Sequence, residues 1–199
     1  MARKVDHLQR RREIAEKALR LFSQVGFDNV SLIMIAAAAG VSRTALYQYF
    51  CSKREVLDAA IVSVTEVIEA RCTKIITGKA PAVKKLEGVC HAVVDVMFEN
   101  RSFLVAVFDF VVGMVRTGAD MNESIHHFTS GTRAAIRRLV ETGKQRGELP
   151  AVLQVDRTTD ALYSGFESCA MRIVIGNEKD PVAAKVRFSD VIRAIAVWK

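Results

Sequence analysis

The sequence predicts an all-α protein of nine helices, and three observations lead to that fold class. Apolar residues recur at steps of three and four positions through most of the 199 residues, which is the spacing of one helix face. Stretches in which apolar and polar residues alternate, as in a half-buried strand, are almost absent. Half of the residues are hydrophobic and only 3 are proline, so the chain has enough apolar surface for a core and few helix breakers.

The first four predicted helices have start and stop signals that agree with each other. We expect helices over about residues 6–25, 31–39, 42–50 and 52–76. Serine side chains cap helix N-termini, a glutamate three residues later completes a capping box, and glycine ends many helices. The residues that give these signals are Gly26, Ser31, Gly40, Ser42, and Ser52 with Glu55.

The remaining five helices are bounded by proline, glycine and short polar residues. Pro81 stands in the first turn of the fifth helix, and Pro181 stands in the first turn of the ninth. The predicted capping residues of the sixth, eighth and ninth helices are Asn100, Asp156 and Asp180. The seventh helix covers about residues 122–143.

Charge is concentrated at the N-terminal end of the chain. Lys and Arg number 29 against 22 Asp and Glu, and residues 1–55 contain 10 of the basic and 5 of the acidic residues. A basic segment favours a polyanionic partner, either nucleic acid or anionic lipid, although a solvated surface is also compatible with it. The run Arg10-Arg11-Arg12 is open to both interpretations, as a phosphate contact or as a solvated helix start.

Several classes of protein are not indicated. The apolar stretch 103–115 is interrupted by Asp109 and is too short to span a bilayer. The basic N-terminus lacks the apolar region of a secretion signal, so we expect a cytoplasmic protein. The 4 Cys form no Cys-x-x-Cys pair and no His stands at zinc-ligand spacing, which predicts no metal and no cofactor. A redox role for Cys51 is the less favoured interpretation of that residue.

Residues 31–50 have the length and turn chemistry of a helix-turn-helix, with Gly40 at the turn. A glycine there allows a tight reversal, so the second helix can project into a major groove. Helical spacing places Leu46 and Phe50 on the inner face of that second helix. The residues on its outer face are Arg43, Thr44, Tyr47 and Gln48.

Over about residues 10–60 the sequence resembles the TetR/AcrR family of helical transcriptional repressors. The matching residues are Ile14-Ala15, Ala18, Leu21-Phe22, Gly26-Phe27, Ile35-Ala36, Ala39-Gly40-Val41-Ser42, Leu46-Tyr47, Tyr49-Phe50, Ser52-Lys53, Glu55 and Leu57. The resemblance implies two domains. Residues 1–55 are expected to form a three-helix helix-turn-helix domain, with helix 52–76 as the connection, and residues 56–199 a helical domain for effector binding and dimerisation.

The resemblance also implies roles in DNA binding. Base contacts are expected from Arg43, Thr44 and Gln48. Phosphate contacts are expected from Tyr47, Tyr49, Lys53 and the backbone N–H near Ala45. The sequence departs from the family pattern in two places. Ala45 replaces the common glycine, and the outer face of the second helix, usually polar, is apolar: Ile33, Met34, Ala37 and Ala38. Fewer DNA contacts are therefore expected from the second helix. Either the recognition helix and the basic arm contribute more of the affinity, or the apolar face packs on another surface.

The C-terminal half is expected to supply a homodimer interface and an effector pocket, as the resemblance implies. Apolar residues at helical steps on the last helix, and small residues on the helix before it, predict a four-helix interface, with packing inside one chain as the alternative. The predicted interface residues are Ala161, Gly165, Phe188, Val191, Ile195 and Trp198. For a largely apolar small molecule the predicted pocket residues are Phe98, Phe103, Phe110, Met114, Phe128, Tyr163 and Phe166. Asp109 is one candidate for a polar anchor, and core packing is the alternative role for the apolar residues.

The function that we predict is a dimeric repressor that binds a pseudo-palindromic, inverted-repeat operator in double-stranded DNA. A small-molecule effector is expected to release it. A non-specific DNA-coating protein is the first alternative, and a helical carrier or enzyme the second. For an enzyme the sequence offers no nucleophile with a base, no paired carboxylates and no phosphate-binding glycine loop, so we predict that the protein is not one.

Overall fold

The structure is a computed structural model that describes the backbone of residues 2–118 and 122–197, and the side chains of residues 7–118 and 129–197. Within these ranges every regular element is an α-helix, so the predicted all-α fold is confirmed. In chain order the helices are α1 (Ala2–Val25), α2 (Leu32–Ala39), α3 (Arg43–Tyr47), α4 (Lys53–Ile76), α5 (Ala82–Glu99), α6 (Arg101–Thr117), α7 (Asn122–Gln145), α8 (Val155–Val174) and α9 (Pro181–Val197).

The N-terminal cap signals are confirmed in detail. Ser31 Oγ accepts a hydrogen bond from the Met34 N–H, and Ser42 Oγ accepts one from the Ala45 N–H at 3.1 Å. The capping box predicted at α4 is formed in one half: the Glu55 N–H donates to Ser52 Oγ, whereas the Glu55 carboxylate accepts from the Cys51 N–H, one residue before the cap.

Several predicted helix ends differ from the structure, either in position or in the capping hydrogen bond. Asn100 is the N-cap of α6, but its side chain makes no capping hydrogen bond. Helix α8 starts before Asp156, whose carboxylate binds Arg137 of α7 at 2.9 Å instead of capping the helix. Pro81 precedes α5, and its carbonyl accepts the first helical bond. Helix α3 ends at Tyr47, because Gln48 already closes it with bonds to Ala45 and Leu46.

Contacts divide the chain into two compact units. The first contains α1 to α3, α4 as far as Thr65, and α6; we call it the head unit. Its core is formed by Ile14, Phe22, Ile35, Leu46 and Phe50, each at most 1% exposed. The predicted inward packing of Leu46 and Phe50 is therefore confirmed. The predicted functional division between residues 55 and 56 stays a prediction.

The second unit contains α4 from Glu66, α5, α7 from Ile125, α8 and α9. Helices α5 and α9 share a polar seam, in which His91 Nε2 lies 2.9 Å from Ser189 Oγ and Lys185 binds Asp95 at 2.5 Å. Among the described residues, no helix is long and apolar enough to cross a membrane. Nor do the described side chains group His, Cys, Asp and Glu into a cluster that would hold a metal ion.

Candidate nucleic-acid interface

The turn between α2 and α3 is fixed by Gly40, which has φ 68° and ψ 35°. The Gly40 N–H donates to the Ala37 carbonyl and the Val41 N–H donates to the Ala36 carbonyl, so the end of α2 is closed by its own backbone. A Cβ at Gly40 would meet nothing within 4 Å. The left-handed conformation, and not lack of space, is therefore what requires glycine at this turn.

Helix α3 has one buried side and one exposed side. Leu46 is completely buried, whereas Arg43, Thr44, Tyr47 and Gln48 are exposed, as their spacing predicted. The Arg43 guanidinium lies 5.7 Å from the centre of the Tyr47 ring, and its Nη2 is 3.4 Å from the Tyr47 hydroxyl. The exposed side thus presents a cation, two hydroxyls and an amide to the solvent.

Two of the predicted phosphate contacts have partners within the chain. Lys53 Nζ donates to the carbonyls of Phe27 and Asp28, both at 2.9 Å, and lies 4.6 Å from the centre of the Phe27 ring. The Ala45 N–H donates to Ser42 Oγ. Lys53 therefore holds the α1–α2 turn against the start of α4, which is a structural role that the sequence did not reveal.

The basic run at the start of α1 is also partly engaged within the head unit. Arg10 pairs with Glu13 at 2.8 Å. Arg11 donates to the Tyr49 carbonyl, and its guanidinium lies 4.3 Å from the centre of the Phe50 ring. These contacts tie α1 to the end of the α3 region, so Arg11 stabilises the residues that follow the candidate recognition helix.

Tyr49, another predicted phosphate contact, is half-buried. Its ring stacks on His7 with 4.6 Å between the centres, and its carbonyl accepts from Arg11. The aromatic ring and the main chain of Tyr49 are thus both held by α1.

Helix α6 packs on the head through a contact that sequence reasoning missed. The Phe27 N–H donates to Asp109 Oδ2 at 2.6 Å, and the Phe27 ring meets the Phe110 ring edge to face at 5.0 Å. The Arg54 guanidinium lies 4.6 Å from the centre of the Phe110 ring. Asp109, considered as a ligand anchor, and Phe110, predicted to line a pocket, are therefore part of the packing of the head unit.

The other predicted pocket residues are divided between the two units. Phe103 and Met114 belong to the head unit, and Phe103 is buried there. Phe98 is half-buried in the second unit, while the Phe128 side chain lies outside the described residues.

Tyr163 and Phe166 lie side by side in the second unit, with ring centres 6.1 Å apart. Burial raises the pKa of Tyr163 to about 12, and the Arg133 guanidinium stacks over its ring at 4.0 Å. Arg133 also pairs with Asp160 at 2.5 Å. The hydroxyl of Tyr163 therefore stays protonated at neutral pH and can act as a hydrogen-bond donor.

A cavity of about 200 Å³ lies between α4 and α7 of the second unit. None of the predicted pocket residues lines it. Its lining consists of Ile68, Glu69, Cys72, Thr73, Ile76, Gly131, Thr132 and Ala135. Burial raises the pKa of the Cys72 thiol to about 11, so this cysteine contributes an apolar, neutral wall.

The predicted dimer residues meet along a groove of about 210 Å³ between α8 and α9. Ala161, Gly165, Phe188 and Val191 all line it. The absence of a side chain at Gly165 makes room for Phe188, because a Cβ there would come within 3.0 Å of the Phe188 ring. Ile195 is half-buried on α9, and Trp198 lies outside the described residues. Because Phe188 is buried and stacks on Phe166 at 4.6 Å, it also has a role inside the chain.

Comparison with known proteins places residues 14–60 within the family model described as bacterial regulatory proteins of the tetR family. The chain is 34% identical over 85 residues to the HTH-type transcriptional regulator HbdR of Aromatoleum sp. (strain CIB), an alignment that covers 43% of this chain and 36% of that protein. It is 26% identical over 182 residues to the HTH-type transcriptional regulator PksA of Bacillus subtilis (strain 168), which covers 92% of this chain and 85% of that protein.

Solved structures share the fold over nearly the whole chain. A putative TetR-family transcriptional regulator from Rhodococcus sp. superposes with a TM-score of 0.78 at 18% identity, covering 94% of this chain and 99% of that one. The transcriptional regulator FadR from Bacillus subtilis, solved in complex with stearoyl-CoA, also gives 0.78 at 18% identity, covering 94% and 98%. The overall fold is therefore common to these proteins.

Proposed function

Because this chain belongs to the TetR family of transcriptional regulators, we propose that it is a sequence-specific DNA-binding repressor that acts as a homodimer. The observation that carries the proposal is the arrangement of α3. The turn before α3 is fixed by Gly40 in the left-handed conformation. On α3 itself, Leu46 is fully buried and the polar side chains are exposed. Such a helix is held rigidly at one face and is free to enter a major groove with the other.

The exposed residues of α3 have the chemistry for reading base pairs. Arg43 can donate two hydrogen bonds to guanine O6 and N7, and Gln48 can pair with adenine N6 and N7. Thr44 can bind either kind of base edge. Tyr47 lies within reach of Arg43, so its hydroxyl can orient the guanidinium or bind a neighbouring phosphate.

Lys53, Tyr49 and Ala45, which we propose to contact phosphates, also have partners inside the chain. An ammonium group has three N–H donors, and Lys53 uses two of them on carbonyls. The ammonium also lies 4.0 Å from the Asp28 carboxylate, so its third donor would be shared between that carboxylate and a phosphate oxygen. Tyr49 is held by its ring and its carbonyl, which leaves its hydroxyl for a phosphate. At Ala45 the N–H would be shared between Ser42 Oγ and a phosphate.

Dimerisation is proposed to occur through α8 and α9. The groove lined by Ala161, Gly165 and Val191 supports this, since small residues allow helices to approach closely and Val191 is 47% exposed. A two-fold dimer presents two α3 helices, which fits an inverted-repeat operator with half-sites one helical turn apart.

The effector is proposed to be a small, largely apolar molecule bound in the helical second unit. The cavity between α4 and α7, with Glu69 and two threonines at its lining, is one place that supports this, in addition to the predicted aromatic residues. A ligand that binds better to a dimer whose heads do not fit successive half-sites would release the DNA. Long-chain fatty acids are the first compounds to assay, together with their acyl-CoA esters, because a protein of the same fold was solved with stearoyl-CoA, whose acyl chain is apolar.

Selection from a random duplex library at physiological salt tests the proposed function. An enriched inverted repeat is expected. Binding without any enriched sequence, abolished by a modest rise in salt, would instead support the non-specific DNA-coating alternative.

A further inference from the structure

Helix α2 is apolar on every side, including the side that faces solvent. Its sequence is LIMIAAAA. Ile35, Ala36 and Ala39 are buried in the head core, whereas Ile33 and Met34 are 58% and 37% exposed. Ala37 and Ala38 are exposed as well. The core uses only one face of this helix, and helix propensity accounts for the exposed alanines, but neither accounts for Ile33 and Met34.

The exposed face is too small to form a stable interface between copies of this chain. A helix of 8 residues is about 12 Å long, and one face of it offers on the order of 120 Å². A stable protein interface buries about 800 Å² on each partner. The molecule that covers this face must therefore bind mainly to an adjacent surface of the head unit and contact α2 only at the margin of that larger interface.

The next element in the chain is α3, whose exposed side is the candidate DNA-binding surface. Only residues 40–42 separate the two helices, and the bonds from the Gly40 and Val41 N–H groups to α2 carbonyls fix the connection. When the second helix of this motif occupies a major groove, the first helix crosses the DNA backbone at the edge of that groove. Surrounding positive charge favours DNA there, since residues 1–55 contain twice as many basic as acidic residues.

Apolar side chains at this edge cannot bind phosphates, and base edges in the major groove offer one apolar group, the C5-methyl of thymine. We propose that Ile33, with Met34 beside it, contacts thymine methyl groups in the operator, next to the base pairs read by α3. This inference rests on the proposed function, and it adds a specificity determinant outside the recognition helix. Cytosine lacks the methyl group, so it is disfavoured at these positions, while 5-methylcytosine presents the same apolar group.

The test uses the enriched operator with each thymine replaced in turn by deoxyuridine, which removes the C5-methyl group and leaves base pairing unchanged. For the wild-type protein we expect affinity to fall about fourfold at one or two positions in each half-site, the effect of exposing one methyl-sized group. Cytosine and 5-methylcytosine, each paired with guanine, form a second pair of duplexes at those positions. The methylated duplex is expected to bind more tightly.

The variant Ile33→Ala connects the effect to the side chain. Alanine favours helix, and the position is exposed, so the fold is expected to persist. The variant should bind the thymine and deoxyuridine duplexes equally at the position that Ile33 contacts. Val62→Ala is the matched control, because Val62 is an exposed residue of α4 in the same unit, 44% accessible. It should retain the wild-type preference for thymine.

Two results would overturn the inference while the proposed function stands. One is an enriched operator in which no thymine is sensitive to loss of its methyl group. The other is an Ile33→Ala variant that keeps its preference for thymine but changes its oligomeric mass in sedimentation. That result would mean that the exposed face of α2 is a contact between copies of this chain. If selection enriches no sequence at all, both the inference and the proposed function fail.

Discussion

The carboxylate of Asp109 on α6 accepts a hydrogen bond from the main-chain N–H of Phe27, with 2.6 Å between Oδ2 and N. The bond joins residues 82 positions apart and holds the turn between α1 and α2. On the other side of that turn Lys53 binds the Phe27 and Asp28 carbonyls. The main chain that leads into the helix-turn-helix is therefore fixed from two sides, by α4 and by α6.

Asp109→Ala is expected to destabilise the head unit. It leaves the Phe27 N–H without its acceptor, and bonds to a charged acceptor contribute about 1.5–3 kcal/mol when well shielded. Because Asp109 is exposed to solvent, we expect the free energy of unfolding to fall by about 1 kcal/mol. Urea denaturation measures this. Asp109→Asn retains an acceptor oxygen and should lose less; equal losses for both variants would show that the carboxylate charge, and not the hydrogen bond, is what matters.

Arg43→Ala is expected to reduce operator affinity without affecting the fold, because the side chain is exposed. Loss of a bidentate contact to guanine should cost about 1–3 kcal/mol and relax the preference at one base position in each half-site. Titration of the variant against the operator and against single-base variants at constant salt measures both effects. Equal losses on operator and random DNA would contradict base reading by Arg43.

Lys53→Ala is expected to act in two ways, because the side chain holds two carbonyls as well as the proposed phosphate. The free energy of unfolding should fall by about 1 kcal/mol, and affinity for all duplexes should fall, with the salt slope reduced by about one. Lys53→Arg is the control that keeps the charge. If Lys53→Ala destabilises the protein but leaves the salt slope unchanged, Lys53 has only the structural role.

The sequence predicted the parts of the head that depend on local chemistry. Ser31, Ser42 and Gly40 act within four residues of their own position, so their roles can be read from spacing alone. The long-range contacts of Lys53 and Asp109 cannot, since a lysine or aspartate at such a position is equally compatible with a solvated surface. Sequence therefore located the candidate interface, and only the fold revealed what supports it.

The C-terminal half was harder to interpret for a different reason. Phe and Met side chains suit a ligand cavity and a core equally well, and Phe110 turned out to pack against Phe27. The cavity between α4 and α7 is lined by Thr73, Gly131 and other residues that carry no distinctive pattern. Asp156 shows the same limit at a helix end, because its partner Arg137 lies on another helix.

Alkylation at pH 8 is expected to modify Cys51 alone in the folded protein. Cys51 is exposed, whereas Cys72, Cys90 and Cys169 are buried. Burial raises the pKa of Cys72 to about 11 and that of Cys90 to about 12, and it also raises the pKa of Cys169. Below such pKa values almost no reactive thiolate is present, so these thiols are protected both by burial and by the lack of ionisation.

Mass spectrometry after iodoacetamide treatment should find one adduct, and four adducts after denaturation in guanidinium chloride. A second adduct in the native protein would contradict this prediction, because it would show that a buried cysteine becomes accessible during the labelling time.

Val191→Lys is expected to separate the dimer that we propose. The side chain is 47% exposed in the α8–α9 groove, so a lysine is tolerated in the monomer, but a two-fold axis would bring two added charges into one apolar interface. Sedimentation should show a monomer at concentrations where the wild type is a dimer. A single head then binds one half-site without being linked to a second head on the neighbouring half-site, so operator affinity should fall by about a hundredfold.

Val152→Lys is the matched control, because Val152 is 75% exposed and lies outside the groove, between α7 and α8. If Val191→Lys remains a dimer and still binds the operator, the dimer contact lies elsewhere. If it remains a dimer but no longer binds the operator, both the proposed interface and the proposal that dimerisation explains the affinity are contradicted.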